Sequence, residues 1–289
     1  MITTLSSNDL EVLISSRGAE LQSVMHRSGH QYLWQGDPEI WPRRAPVLFP
    51  IVGKLKDQEY VFKRHKFKLP QHGFARDMVF EDTSKHPNEA VYTLKSSKQS
   101  LENYPFDFEL VLTYHLELNT LKCSYLVRNT GGSDMLFSIG AHPGFRIDSS
   151  RENKVCLAME KAHYTVSRLD SGLLEGQKDE LNIPDKNLRL VPSVFEQDAL
   201  VFENAQVGHI KLVTGYQDRH IEMICENWPF FGIWSKSHPA EKSLRFVCLE
   251  PWYGIADTKN HNKALEQKKG ILQLSPGAAF TSDYRLIFH

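Results

Sequence analysis

Apolar and polar residues alternate in short runs along most of the chain, and stretches with helical spacing are few. A side-chain period of two marks strands with one face buried and the other wet. The clearest case is the pair of runs 106–118 and 120–129, turning at Glu117-Leu118-Asn119-Thr120. There Leu110, Leu112 and Tyr114 share one face, while Val111, Thr113 and His115 share the other. A second hairpin is predicted from 59–62 and 66–69 around the basic tip Lys63-Arg64-His65. Other strands are predicted at 11–14, after the turn at 17–21, and at 78–82, 90–95, 154–159, 162–167, 199–202, 210–214, 220–225, 232–235, 246–249, 270–274 and 279–288. Residues 97–104, closed by Pro105, and 257–267 suggest short helices, and the polar stretches 149–153 and 171–181 read as surface loops. With no repeat and no Pro/Gly/Ser-rich linker, this predicts one all-β domain over 1–289, a large antiparallel sandwich.

Charge narrows the partners. The chain has 34 Lys and Arg against 35 Asp and Glu, a formal net charge of −1, so it lacks the basic footprint that nucleic acid or an anionic membrane attracts. Cys123, Cys156, Cys225 and Cys248 lie apart in apolar or strand-like runs, which reads as reduced thiols rather than a disulfide frame or zinc site. Met1-Ile2-Thr3-Thr4-Leu5 begins no signal-peptide pattern. No apolar run approaches the ~20 residues of a membrane helix. The expectation is a soluble, cytoplasmic protein, with a homodimer left open.

Four segments depart from plain strand-and-turn patterning. After the apolar run Met135-Leu136-Phe137-Ser138-Ile139, read as a buried strand, come Gly140-Ala141-His142-Pro143-Gly144-Phe145. A histidine at such a break is held on a stiff scaffold, and its ordinary pKa of about 6.5 suits proton transfer. In residues 45–55, Pro46 and Pro50 bracket an apolar run that ends in Gly53-Lys54, after Arg43-Arg44; prolines confine such a run to a sheet edge or irregular backbone, as in a cleft wall. Gln71-His72-Gly73-Phe74-Ala75-Arg76-Asp77 gathers an imidazole, a guanidinium and a carboxylate. Finally, Glu250 follows the apolar Phe246-Val247-Cys248-Leu249 and precedes Pro251-Trp252. Burial of an unpaired carboxylate raises its pKa toward that of a useful base. His142 and Glu250 make an acid/base pair with no nucleophile beside it, since no GxSxG, Cys–His or HExxH pattern is present. Trp252, Phe74 and Phe145 offer flat apolar surfaces of the kind on which sugar rings stack.

Gly18-Ala19-Glu20-Leu21, Tyr32 to Pro38, Ala45 to Leu55, Gln71 to Asp77, Ala141 to Phe145, Asp198-Ala199-Leu200-Val201-Phe202 and Cys248 to Asp257 occur in an order and spacing that resemble the aldose 1-epimerase (galactose mutarotase) family, its LacX-like branch most closely. The resemblance implies a galactose mutarotase-type β-supersandwich that interconverts the α and β anomers of a hexose or hexose phosphate with no metal or cofactor. It implies that Glu250 removes the anomeric hydroxyl proton and that His142 protonates the ring oxygen. His72, Asp198, Arg76, Lys54 and Trp252 then bind the sugar. Two positions depart from better characterised mutarotases. Lys54 stands where they carry arginine, and Gly144 where they carry an aromatic residue, which implies a roomier pocket. Arg43, Arg44, Lys54 and Arg76 together suggest a phosphate cluster. Competing readings are a non-catalytic sugar-binding or sensing protein, a polysaccharide lyase or hydrolase using Glu250 with Asp198, and a metal-dependent site.

Overall fold

Two large antiparallel sheets dominate the protein, a computed structural model that describes residues 1–157, 163–183, 185–216 and 219–289. Nine strands form one sheet in the order Asn187–Arg189, Lys154–Leu157, His209–Val213, His220–Ile224, Ala279–Phe288, Thr120–Asn129, Phe108–Glu117, Glu89–Lys95 and Glu81–Asp82. The second sheet runs Leu173–Asn182, His163–Asp170, Leu200–Glu203, Phe230–Trp234, Phe246–Tyr253, Ile139–Ala141 and Val47–Leu48, with Gly144–Arg146 as its eighth strand, paired to Phe246–Tyr253. One apolar cluster joins them: Leu110, Leu112, Tyr114 and Leu121 meet Phe202, Phe231, Ile233, Val247 and Leu249. The all-β antiparallel expectation therefore holds, and the hairpin at 108–129 buries the face its alternation indicated.

Several local expectations change. Most of 171–181 belongs to the strand Leu173–Asn182, which lies at a sheet edge; its exposed charges read as loop but serve to discourage further strand pairing. Within 78–82 Glu81–Asp82 forms the strand, and Val79 makes an isolated antiparallel bridge to Arg17. The helix expected at 257–267 is reduced to a 3-10 turn, Leu265–Gln267. Tertiary contacts set that loop: the buried Lys268 ammonium meets Asp257 Oδ1 at 3.1 Å, and Asp257 Oδ2 accepts the Lys56 N–H at 3.0 Å. The run 135–139 splits at Ser138, whose N–H donates to the Pro50 carbonyl at 2.7 Å. Met135–Phe137 pairs with Leu272–Leu274, and Ile139–Ala141 joins the eight-stranded sheet. The helix Lys98–Asn103 forms as expected, with Ser97 and Ser100 making a reciprocal cap. The strand ends expected at 159 and 162 lie outside the described residues. All four cysteines are free thiols, Cys156 half-buried and the others buried. Among the described residues no helix is long and apolar enough to cross a membrane.

Candidate active site

Both faces of the strand Phe246–Tyr253 are covered, which is why its sequence is almost continuously apolar. Val247 and Leu249 point into the core between the sheets, whereas Phe246, Cys248 and Trp252 belong to apolar patches on the opposite face. Glu250 shares that outer face by alternation. The neighbouring chain pairs on either side of it, Gly140 opposite Trp252 and Gly144 opposite Cys248, in one continuous register that sets His142 opposite Glu250. Pro143 and Pro251 bring no N–H to the ladder here, and the Leu249 N–H to Pro143 carbonyl bond, 3.2 Å, spans the gap. His142 and Glu250 are thus a cross-strand pair at a proline-made break in a buried sheet, with His142 Nε2 3.1 Å from Glu250 Oε2.

The pair opens on a cleft of about 340 Å³, near the small end of ligand pockets. Trp252 forms its floor. A Cβ on Gly232 would fall 2.5 Å from the Trp252 Cη2 atom, and one on Gly140 2.7 Å from Cδ1, so a glycine on each flanking strand lets the indole lie flat. His72 comes from the irregular segment the sequence marked. It holds a left-handed backbone (φ 66°), followed by Gly73 (φ 71°), and such strained positions in a rigid frame are typical of sites. Its Nδ1 accepts the Gly53 N–H at 3.2 Å, which places the ring proton on Nε2; the Gln71 side-chain nitrogen 3.3 Å away is itself a donor, so that proton is left for a ligand in the cleft. The ring stands edge-on to His142 at 5.6 Å.

Arg76 donates to the Gln71 carbonyl at 2.6 Å, and its buried Nε makes no hydrogen bond, with the Asp77 carboxylate 3.9 Å away. Asp198, also left-handed (φ 73°), accepts the Ala199 N–H on one oxygen at 2.9 Å. Both line the cleft, as do His72, His142, Glu250 and Trp252.

Other expectations are corrected by the geometry. The Lys54 ammonium does not line the cleft; it donates to the Ser171 carbonyl at 2.9 Å. Phe145 is fully buried in the core and Phe74 packs against it, leaving Trp252 as the cleft surface among the three. Of the four expected phosphate cations, Arg43 and Arg76 reach the cleft, while Arg44 is turned to the Gln22 side chain. Arg43 is already paired with Asp77 at 3.0 Å. Gly144 does not enlarge the pocket either. A Cβ there would lie 2.8 Å from Cζ3 of Trp41, so that indole occupies the space a larger residue would take.

Trp41 and Trp234 are the site residues that sequence reasoning missed. Trp41 stacks on the His142 imidazole at 4.9 Å, and Trp234 meets it edge-on at 5.7 Å. The available signals were Trp41 directly before Pro42-Arg43-Arg44, and Trp234 two residues beyond Gly232 on a strand.

Electrostatics follow from enclosure. Burial, and then the Asp198 charge, holds the Glu250 carboxyl well above the usual range; the Trp252 indole opposes this but makes no well-formed hydrogen bond. Burial drives His142 down to about 3, helped by Arg76 and Arg43. His72 is also pushed well down, by burial and then by His142 and Arg76. Both trends favour a neutral imidazole beside a protonated Glu250, one proton shared by two groups. His142, Cys248 and Glu250 are close enough to hold an ion, but burial raises the Cys248 thiol well above its ordinary range, which makes it a poor ligand.

The aldose 1-epimerase family model matches residues 1–271. The chain is 27% identical to Protein LacX, chromosomal, of Lactococcus lactis subsp. lactis, over 96% of this chain and 95% of that protein. A galactose mutarotase related enzyme from Lactobacillus acidophilus superposes with a TM-score of 0.93 at 33% identity, covering 100% of this chain and 97% of its own. A galactose mutarotase-like protein from Lactobacillus casei ATCC 334 gives 0.91 at 26% identity, with both chains fully covered. Together with the sandwich and its cleft, these matches show that the chain belongs to the aldose 1-epimerase family.

Proposed function

We propose that the protein is a cofactor-free mutarotase that interconverts the anomers of a hexose, free or phosphorylated. Family membership supports a sugar epimerase role, and the observation that carries the reading is the buried pair His142–Glu250, 3.1 Å apart, at the floor of a sugar-sized cleft. The sugar stacks on Trp252, and Asp198, Arg76 and the Nε2–H of His72 meet its oxygens. Glu250 as carboxylate takes the proton of the anomeric hydroxyl while His142 as imidazolium gives its Nε2 proton to the ring oxygen. The C1–O5 bond breaks and C1=O1 forms. After rotation about C1–C2, O5 attacks the other face of the aldehyde, His142 regains the O5 proton and Glu250 returns its own to O1. The pair ends with the one proton it started with. Resting enzyme holds that proton on Glu250, so a hydrogen-bond-length transfer to His142 arms the site for cyclic substrate.

Anomer exchange followed by NMR on fresh α-glucose, α-galactose and glucose 6-phosphate tests this, with Glu250→Gln and His142→Ala as controls. Wild-type acceleration absent from both variants is the expected result. Saturable sugar binding without exchange across the panel would instead make the protein a sugar binder.

A further inference from the structure

The nine-stranded sheet, opposite the one that holds the cleft, carries a second constellation of titratable groups. His220 and Glu222 alternate on the strand His220–Ile224 and so project from one face. On one neighbouring strand Lys211 stands opposite Glu222, which makes His209 its diagonal neighbour on that face. On the other side His289 faces His220. The His289 N–H donates to the His220 carbonyl at 3.0 Å, and the His289 carbonyl accepts from the His220 N–H at 3.4 Å and the Tyr32 hydroxyl at 2.8 Å. The two imidazoles stack at 4.2 Å, nearly parallel. Their Nε2 atoms lie 3.9 Å (His220) and 3.5 Å (His289) from Glu222 Oε1, while Glu222 Oε2 is 2.8 Å from His209 Nε2.

We propose that His220, Glu222 and His289 form a binding site for a divalent late transition-metal ion, zinc above all, with His209 orienting the carboxylate. A tetrahedral ion with bonds of about 2.0–2.1 Å sets its ligand atoms about 3.3–3.4 Å apart. The three donor atoms already lie within 4.8 Å of one another, and turning the two imidazoles out of their parallel stack directs both in-plane lone pairs at one ion. Two imidazoles and one carboxylate suit zinc and leave a fourth position for solvent. His209 supplies the outer hydrogen bond that such carboxylates ordinarily have. Lys211 stands directly opposite Glu222 across the strand pair, and the Glu222 oxygens are met by histidines instead. An ion here clasps Ala279–Phe288 to its neighbour and, by binding only the folded chain, raises stability.

Titration calorimetry with zinc chloride on metal-stripped protein tests the site. The expected result is one ion per chain, bound at least about 100-fold more weakly in His220→Gln and His289→Gln and about tenfold more weakly in His209→Gln. Glu250→Gln should bind zinc as wild type does, which separates this site from the cleft. Cobalt(II) should give the visible absorption of a tetrahedral ion in wild type and lose it in His289→Gln. Circular dichroism should show every variant folded. Several weak ions bound alike by all variants would reduce the cluster to adventitious contacts and overturn the proposal; so would binding lost only in Glu250→Gln.

Discussion

The strand Phe246–Tyr253 has two faces that do opposite things. Val247 and Leu249 go into the shared core, where apolar burial and close packing stabilise the fold. One residue away, Glu250 places a carboxyl in equal seclusion, 1% exposed, with His142 at 8% as its neighbour across the ladder. Seclusion that favours Leu249 opposes the charge on Glu250. The lesson is mechanical: a backbone clamped by core packing on one face can hold a destabilised acid/base pair on the other.

The sharpest break between the faces is Glu250→Gln. General acid–base catalysis contributes about 10²–10⁴ in rate, and kcat/KM for anomer exchange should fall by that factor. Stability should move the other way. Because folding raises the Glu250 pKa, folding of wild type is less favourable once pH climbs above the unfolded carboxyl range. Calorimetry should find Glu250→Gln more stable than wild type at pH 8, with the gap closing below about pH 4. A variant that kept its rate would remove Glu250 from the chemistry.

Leu249→Ala should invert the result. Cavity formation in a packed core costs about 2–5 kcal/mol, read as a lower denaturation midpoint, while kcat/KM of the folded fraction stays near wild type. A large rate loss without destabilisation would show the two faces to be coupled.

How far these faces were readable depends on local physics. Alternation exposed the hairpin at 108–129 because one of its faces is wetter. In Phe246–Tyr253 both faces are covered, so period two vanishes and Glu250 stood out only as a charge in an apolar run. His72, Arg76 and Asp77 were visible because irregular backbone needs unusual composition. Trp41 was hidden, because its role depends on the missing side chain of Gly144, a contact between segments about a hundred residues apart. The strand Leu173–Asn182 looked like loop because an edge strand avoids apolar residues for reasons of association.

The pH profile probes the shared proton. With burial holding His142 near 3 and Glu250 well above its usual range, the pair keeps one proton across the whole interval between them. Below that interval Glu250 cannot act as a base, because both groups are protonated; above it His142 has no proton to give. kcat/KM should therefore pass through pH 6.5 without an acid limb. A limb at the ordinary histidine value would mean that His142 titrates as an exposed imidazole.

Gly232→Ala perturbs the floor rather than the proton. Its Cβ would meet the Trp252 ring at 2.5 Å, and overpacking of this kind costs about 1–3 kcal/mol. The indole should tilt into the cleft, raising KM more than it lowers kcat. Unchanged KM would mean that the sugar does not rest on Trp252.

The smallest effect belongs to the cleft's rim. Lys54 reaches the Ser171 carbonyl in the hairpin between His163–Asp170 and Leu173–Asn182, and Gly172 beside it lines the cleft. This bond is exposed, and such a bond contributes about 0.5–1.5 kcal/mol at most. Lys54→Met keeps the stem that packs near Gly172 and removes only the donor. KM should rise about two- to fivefold with kcat unchanged, equally for glucose and glucose 6-phosphate, because the hairpin loosens without any sugar contact being lost. A penalty confined to the phosphorylated sugar would place the ammonium on the substrate. The wall and the rim would then act as one binding surface instead of a frame and its brace.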